Sequence, residues 1–403
     1  MPSVALLGTL DTKGREYAFL RKRLDELGIE TVVIDAGVAQ PAGLEPDVDR
    51  RRVAAASGSD ADALAAGGDR GAAVEAMARG ATRVVADLHA AGRFDGILAI
   101  GGSGGAAIAA AAMQSLPVGV PKLLVSTVAS GDTRPYVGAV DVTMMYSVVD
   151  LAGINSISAR ILANAAAAIG GMVSAAPLPE VAGRPLIGAT MFGVTTPCVT
   201  RARERLEDLG YEVLVFHATG TGGGSLEALA RSGSLAGVLD ITTTELADDL
   251  VGGVLSAGPL RLEAAGAAGI PQVVSLGALD MVNFGPRETV PPEFAARRLY
   301  VHNPTVTLMR TTAEECQELG RRVGAKLASA RGPVAVFVPL RGVSMIDSDG
   351  QPFHDPDADE ALFRGLRQTL ADRELHELDM NINDERFADA MVMRLHELIE
   401  ETR

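Results

Sequence analysis

GILAIGGSGGAA, residues 96–107, runs from a short apolar segment through Gly101, Gly102, Ser103, Gly104 and Gly105 into a stretch of alanines. An apolar run of this length, stopped by glycines, reads as a strand buried on both faces, and the small residues after it open a helix. Glycines in such a turn let the backbone approach a ligand closely, and the free N–H groups at the helix start point outward. A phosphate is the natural partner of that arrangement. A tight turn with no ligand is the plain alternative.

The same grammar recurs on both sides. Strands are expected near Val4–Gly8, Thr31–Asp35, Gly96–Ile100 and Lys122–Ser126, with helices near 13–28, 70–92 and 149–170. SAAPLPEVAGRP, Ser174–Pro185, then reads as a linker, with three prolines between a long alanine-rich helix and the next apolar run. Beyond it come strands at Leu186–Thr190, Glu212–His217, Gly237–Ile241 and Val334–Val338, a helix over Cys198–Leu209 and a last one over Asp384–Arg403. The 403 residues exceed the roughly 250 to 300 at which one core stops growing. The expected architecture is therefore α/β in two domains, a Rossmann-like parallel-sheet domain over 1–176 and a second α/β domain over 185–403.

Two more turns join the first. In GTLDTKGRE, Gly8–Glu16, Thr9, Asp11, Thr12 and Lys13 cluster where a strand meets a helix. A helix cap explains one of them, but a lysine near a helix start opposes the macrodipole and suits a neighbouring anion. STVASGDTRPYVGAVDVTMMYSVVD, Ser126–Asp150, lacks a helical period and reads as a long irregular loop. Thr127, Ser130, Gly131, Asp132 and Thr133 are expected as a further wall of the same pocket. Three loops after parallel strands converge on the edge where open α/β sheets bind ligands. Neither GxxxxGK[ST] nor GxGxxG is present.

Composition narrows the partners. Net charge is −15 and aromatics are 4%, which excludes the basic stripe and stacking platforms of a nucleic-acid binder. No uninterrupted apolar run reaches the roughly 18 residues of a membrane span, and the amino terminus lacks a basic leader. The two cysteines, Cys198 and Cys316, lie too far apart in sequence for a thiolate metal motif. A cytoplasmic protein is expected.

In the second half, FHATGTGGGSLE repeats the strand, glycine turn and helix, with His217 at the strand end. Asp240 and Glu245 of LDITTTELAD, with Asp280 of LGALDMVNFG, have the chemistry of acid/base or metal groups. With His217 they are the catalytic candidates, although threonines and aspartates at strand ends also cap helices and a histidine there is usually just hydrogen-bonded. Arg341 fits either a phosphate or a structural ion pair. No HExxH is found, and GGSGG at Gly101–Gly105 resembles the nucleophile elbow GxSxG only superficially, its serine having no Asp and His in assigned roles, so no hydrolase triad is assigned.

Taken together, LGTLDTKGRE, IGGSGG, STVASGDTRPYVG, YSVVDLAGINSIS, GATMFGVTTPCV, FHATGTGG, LDITTTELAD, LGALDMVNFGP and INDERFADAM resemble one family: the ATP-binding amino-terminal region of the tomato mosaic virus resistance protein and its uncharacterised bacterial relatives. The resemblance implies ATP with magnesium on the first domain and a homodimer, and no established reaction. Two readings follow. One is an ATP-dependent enzyme with a small anionic metabolite in the interdomain cleft; the other is a regulatory module in which ATP stabilises fold or dimer. A nicotinamide or sugar-phosphate ligand is a third, weaker possibility.

Overall fold

The computed structural model describes residues 1–175 and 183–402; most of the expected linker lies outside them. The chain forms two compact units, Met1–Pro179 and Glu180–Arg403.

Unit 1 contains β1 (Ser3–Gly8), α1 (Leu10–Glu26), β2 (Glu30–Asp35), α2 (Arg50–Ala56), α3 (Ala61–Ala66), α4 (Arg70–Ala90), β3 (Gly96–Gly101), α5 (Ser103–Gln114), β4 (Lys122–Ser126), α6 (Arg134–Val137), β5 (Thr143–Tyr146) and α7 (Ser156–Ser174). Its five strands are all parallel, in the order β2-β1-β3-β4-β5. β1, β3 and β4 are almost wholly buried because helices cover both faces. α1 and α7 pack Tyr17, Leu20, Leu24, Leu162 and Ile169 on one face, while α4 and α5 pack Met77, Val84, Val85, Ile108 and Met113 on the other. This is a doubly wound sheet whose strand order reverses between β1 and β3.

Local chemistry sets the helix starts. Asp49, Asp60 and Asp69 each accept a backbone N–H as caps of α2, α3 and α4. The helix expected over 149–170 begins later, at Ser156, because Asn155 and Ser158 form a capping box there. The expected irregular loop over 126–150 holds a short 3₁₀ turn, α6 and β5, an edge strand too short and too polar at its ends to announce itself. α7 has the length and composition to cross a bilayer, with mean hydropathy 1.3. Its Leu162, Ala165, Ala166 and Ile169 are buried against the sheet as in a core helix.

Unit 2 contains β6 (Leu186–Met191), α8 (Thr196–Asp208), β7 (Glu212–His217), α9 (Thr221–Arg231), β8 (Gly237–Thr242), α10 (Glu245–Val251), α11 (Ala264–Ala268), β9 (Gln272–Gly277), β10 (Met281–Phe284), β11 (Leu299–Asn303), β12 (Val306–Arg310), α12 (Ala313–Ala328), β13 (Val334–Pro339), α13 (Pro356–Thr369), β14 (Glu374–Leu378) and α14 (Glu385–Thr402). Six strands form a parallel sheet, β14-β13-β9-β8-β6-β7, whose first strands repeat the crossover pattern of unit 1. Unit 2 also holds a three-stranded antiparallel sheet, β10-β12-β11. It is built from adjacent chain segments, which hairpins can pair without a crossover helix.

Candidate functional site

β1 and β3 end side by side, and their continuations bound a cavity of about 520 Å³ at the point where the strand order reverses. That volume lies within the range of small-molecule sites. Thr9, Asp11, Thr12 and Lys13 line it from the turn into α1, and Gly101, Gly102, Ser103, Gly104 and Gly105 from the turn into α5. Val38, Leu64, Val74, Met77 and Ile108 supply an apolar wall, and Asp150 joins from the segment after β5. Two of the three expected loops therefore meet as expected, while the third, Ser126–Asp150, reaches the cavity only through its last residue. Thr127, Ser130 and Gly131 do not line the cavity: Ser130 Oγ donates to the Thr127 carbonyl at 3.0 Å, and the Gly131 amide to Val128 at 3.0 Å, closing a turn on itself.

The glycine turn is held by Tyr17. Its buried hydroxyl accepts the Ile100 amide at 2.8 Å and donates to the Leu7 carbonyl, so one side chain ties the ends of β3 and β1 together. Burial pushes this phenol far above its ordinary pKa. Gly102 caps α5 through its backbone alone, at φ −76°, with no side-chain bond at the helix start. The first amides of α5 thus have no intrahelical acceptor. A Cβ on Gly102 would meet nothing within 4 Å, and one on Gly104 nothing nearer than 3.8 Å. The fold itself does not demand glycine at either position; a side chain would only fill the space beside the turn.

The turn after β1 is also stripped of ordinary capping. Thr9 makes no cap bond, its hydroxyl pairing with that of Thr12 at 2.8 Å. The Leu10 amide is taken instead by Asp35 Oδ1 at 3.1 Å. Burial raises the Asp35 carboxyl, hydrogen bonds from Gly37 and Leu10 opposing it. Asp35 Oδ2 and Asp11 Oδ1 are buried without a partner. Lys13 donates to the Leu151 carbonyl, and Glu16 accepts the Gly153 amide at 2.6 Å, so α1 clamps the segment that carries Asp150. Among the described residues no group of three or more His, Cys, Asp or Glu side chains is placed to hold a metal. Magnesium commonly takes one or two carboxylates and completes its shell with phosphate oxygens and water. Asp11 and Asp150, which line the cavity with the glycine turn, are of the type that mode would use.

Unit 2 uses its candidate residues differently. Arg261 is wholly buried and donates to Asp240 Oδ2 and Oδ1 at 2.5 and 2.7 Å, to Glu245 Oε2 at 2.7 Å and to Glu227 Oε1 at 3.3 Å. Glu245 Oε1 in turn accepts the amides of Gly220 and Gly223, at 2.6 and 3.1 Å. The second glycine turn therefore already holds an anion, one from its own chain. Burial raises the Glu245 carboxyl and the Arg261 pairing opposes it. Asp280 is buried and accepts Ser344 Oγ at 2.8 Å; burial raises its carboxyl, with Arg310 pulling the other way. Arg310 also pairs with Asp359 at 2.7 Å and Asp347 at 3.2 Å. His217 stands exposed at the end of β7, apart from these networks. Arg341 forms its ion pair with Asp379, at the surface.

Sequence reasoning missed Asp35, Arg70 and Asp150. Arg70, in GGDRG, opens α4 and lines the cavity; the lysine logic applied to Lys13 would have found it.

Among relatives, a UPF0261 protein of Clostridium tetani is 54% identical over 98% of this chain and 99% of its own length. The ToMV resistance protein Tm-1 of Solanum lycopersicum is 44% identical over 83% of this chain, which spans 45% of that protein. A solved UDP-N-acetylglucosamine 2-epimerase from Rickettsia bellii overlaps 68% of this chain and 78% of its own at 9% identity; its TM-score of 0.24 is too faint to bear on fold or ligand. The N-terminal domain pattern of the Uncharacterised protein family (UPF0261) matches residues 2–177 and its C-terminal pattern residues 184–399, so the chain belongs to that family.

Proposed function

We propose that unit 1 binds a phosphorylated nucleotide, ATP with magnesium, in the cavity between the ends of β1 and β3. The observation that carries this reading is that Gly102 and Gly104 are glycine where the fold leaves room for a side chain, at the uncapped start of a helix that faces a cavity. Phosphate on the amides of Ser103, Gly104 and Gly105 uses that room. Val38, Leu64, Val74 and Met77 offer an apolar surface to the base. Asp11 and Asp150, both lining the cavity, would hold an accompanying magnesium. A cytoplasmic setting agrees with two free, buried cysteines and supplies the nucleotide.

Of the two uses of that nucleotide, the non-catalytic one has an observation in its favour. Asp240 and Glu245 are consumed by Arg261 and by backbone amides, which leaves them no free face for acid/base work. We therefore favour a binding module in which ATP stabilises the fold or a homodimer, with an ATP-dependent enzyme acting on a small anionic metabolite as the alternative. The test is the melting temperature with ATP, ADP and NAD, each with and without magnesium, because a ligand of the folded state adds RT ln(1 + [L]/Kd). A magnesium-dependent rise with ATP is expected. No rise with any nucleotide would overturn the reading.

A further inference from the structure

We propose that Arg70 receives the outermost phosphate of the cavity's occupant, so that the site reads the length of a phosphate chain. The proposal deepens the nucleotide reading and rests on it for the base, but it concerns the anionic groups alone. Arg70 is the first residue of α4, a helix of 21 residues, and a cation there opposes the positive end of the macrodipole. Its neighbour Asp69 offers no relief, since Asp69 Oδ1 is spent on the Ala72 amide at 3.0 Å.

Four other arginines of α2 and α4 find acceptors, while among the described residues exposed Arg52 has no side-chain partner. Arg50 and Arg51 pair with Asp62, Arg79 with Glu75, and Arg83 donates to the Ala56 carbonyl. Among the described residues Arg70 has neither an ion pair nor a hydrogen-bond acceptor for its side chain. Its Nη2 instead lies 3.8 Å from where a Cβ on Gly104 would stand, over the amino end of α5. An unpaired guanidinium is thus set between two positive helix ends, an arrangement that an anion relieves. The α5 amides take one phosphate, and Arg70, exposed at the cavity's rim, is positioned for a further one. A guanidinium suits that task because its fork matches two phosphate oxygens.

The experiment titrates ATP, ADP, AMP and inorganic tripolyphosphate against the full chain as wild type, Arg70→Ala and Arg70→Lys, with unliganded melting temperatures as a folding control. Arg70→Ala is expected to lose about 10-fold or more in affinity for ATP and tripolyphosphate, and less than about threefold for AMP, with Arg70→Lys between. Equal losses for AMP and ATP, or none, would overturn the proposal. Wild-type binding of tripolyphosphate without any nucleotide would sink the nucleotide reading and leave Arg70 to be judged on tripolyphosphate. Wild-type binding of none of the four overturns both.

Discussion

Glu245 accepts the Gly220 amide at 2.6 Å, and so fills from within the position that a ligand anion would take on the second glycine turn. The same carboxylate holds Arg261, which is buried among three acidic groups. Removing one partner of a buried pair leaves the other charge uncompensated. Glu245→Gln is expected to destabilise unit 2 by about 3 kcal/mol in urea unfolding while the ATP-induced melting shift persists. A variant as stable as wild type would free Glu245 from this structural role and restore it as a catalytic candidate.

The first glycine turn has no such internal anion. Gly104→Val places a side chain where the nearest atoms lie 3.8 Å from the Cβ, and valine is a better helix former than glycine by a few tenths of a kcal/mol. Stability should hold within about 0.5 kcal/mol or rise slightly, while the ATP-induced melting shift disappears. A retained shift would place the phosphate elsewhere.

Tyr17→Phe removes the single hydroxyl that joins Ile100 to Leu7. The Ile100 amide would be left buried without that acceptor, at a cost of about 2 kcal/mol. Gly8 belongs to the same lock, because a Cβ there would stand 2.1 Å from Tyr17 Oη. Since Ile100 directly precedes the glycine turn, ATP affinity should fall several-fold along with stability. Calorimetry on the variant separates the two, and unchanged affinity would show that the turn holds its shape without Tyr17.

Most of this framework was legible because strands buried on both faces read as continuous apolar runs; Lys122–Ser126 matches to the residue. The glycine turn at Gly101–Gly105 was legible for the same local reason. What escaped depends on contacts distant in sequence. Asp35 caps α1 from 25 residues away, and Glu245 reaches Gly220 from the same distance. The threonines and acids of LDITTTELAD looked like a site because their residue types are shared by catalysis and by buried networks, and only the position of Arg261 separates the two. Ser130 and Gly131 had turn chemistry without a direction, and the fold spends it on a turn closing on itself.

Unit 2 should be more stable in mild acid. Burial pushes the Asp248 carboxyl up from 3.8 to about 7, against hydrogen bonds from Asn283. Asp347 is shifted the same way by burial and by Asp280. A carboxyl whose folded pKa is raised holds its proton better in the native state, so stability falls as pH rises from the unfolded value through the folded one. Urea midpoints should therefore decline from about pH 4 to pH 7, and Asp248→Asn should flatten that decline. A midpoint that climbs across this range in wild type would contradict the assignment.

Val148 sits at φ +61° and is 60% exposed, a β-branched residue in the left-handed region with little burial to hold it there. The Val149 amide reaches back to the Ser147 carbonyl at 2.6 Å, and Ser147 Oγ donates to the Val149 carbonyl at 2.9 Å, closing a three-residue turn. Such a conformation costs about 1 to 3 kcal/mol, whereas glycine adds only about 0.5 to 1 kcal/mol of unfolded-state entropy. The strain wins, so Val148→Gly should stabilise unit 1 by about 1 kcal/mol. Two residues on, Asp150 lines the cavity, and the clamps from Lys13 and Glu16 lie beyond it. Relaxing the turn should therefore loosen Asp150, raising the melting temperature without ligand while weakening magnesium-dependent ATP binding. A variant that is less stable than wild type would show that the turn carries no strain, and one that gains stability with unchanged affinity would remove Asp150 from the site.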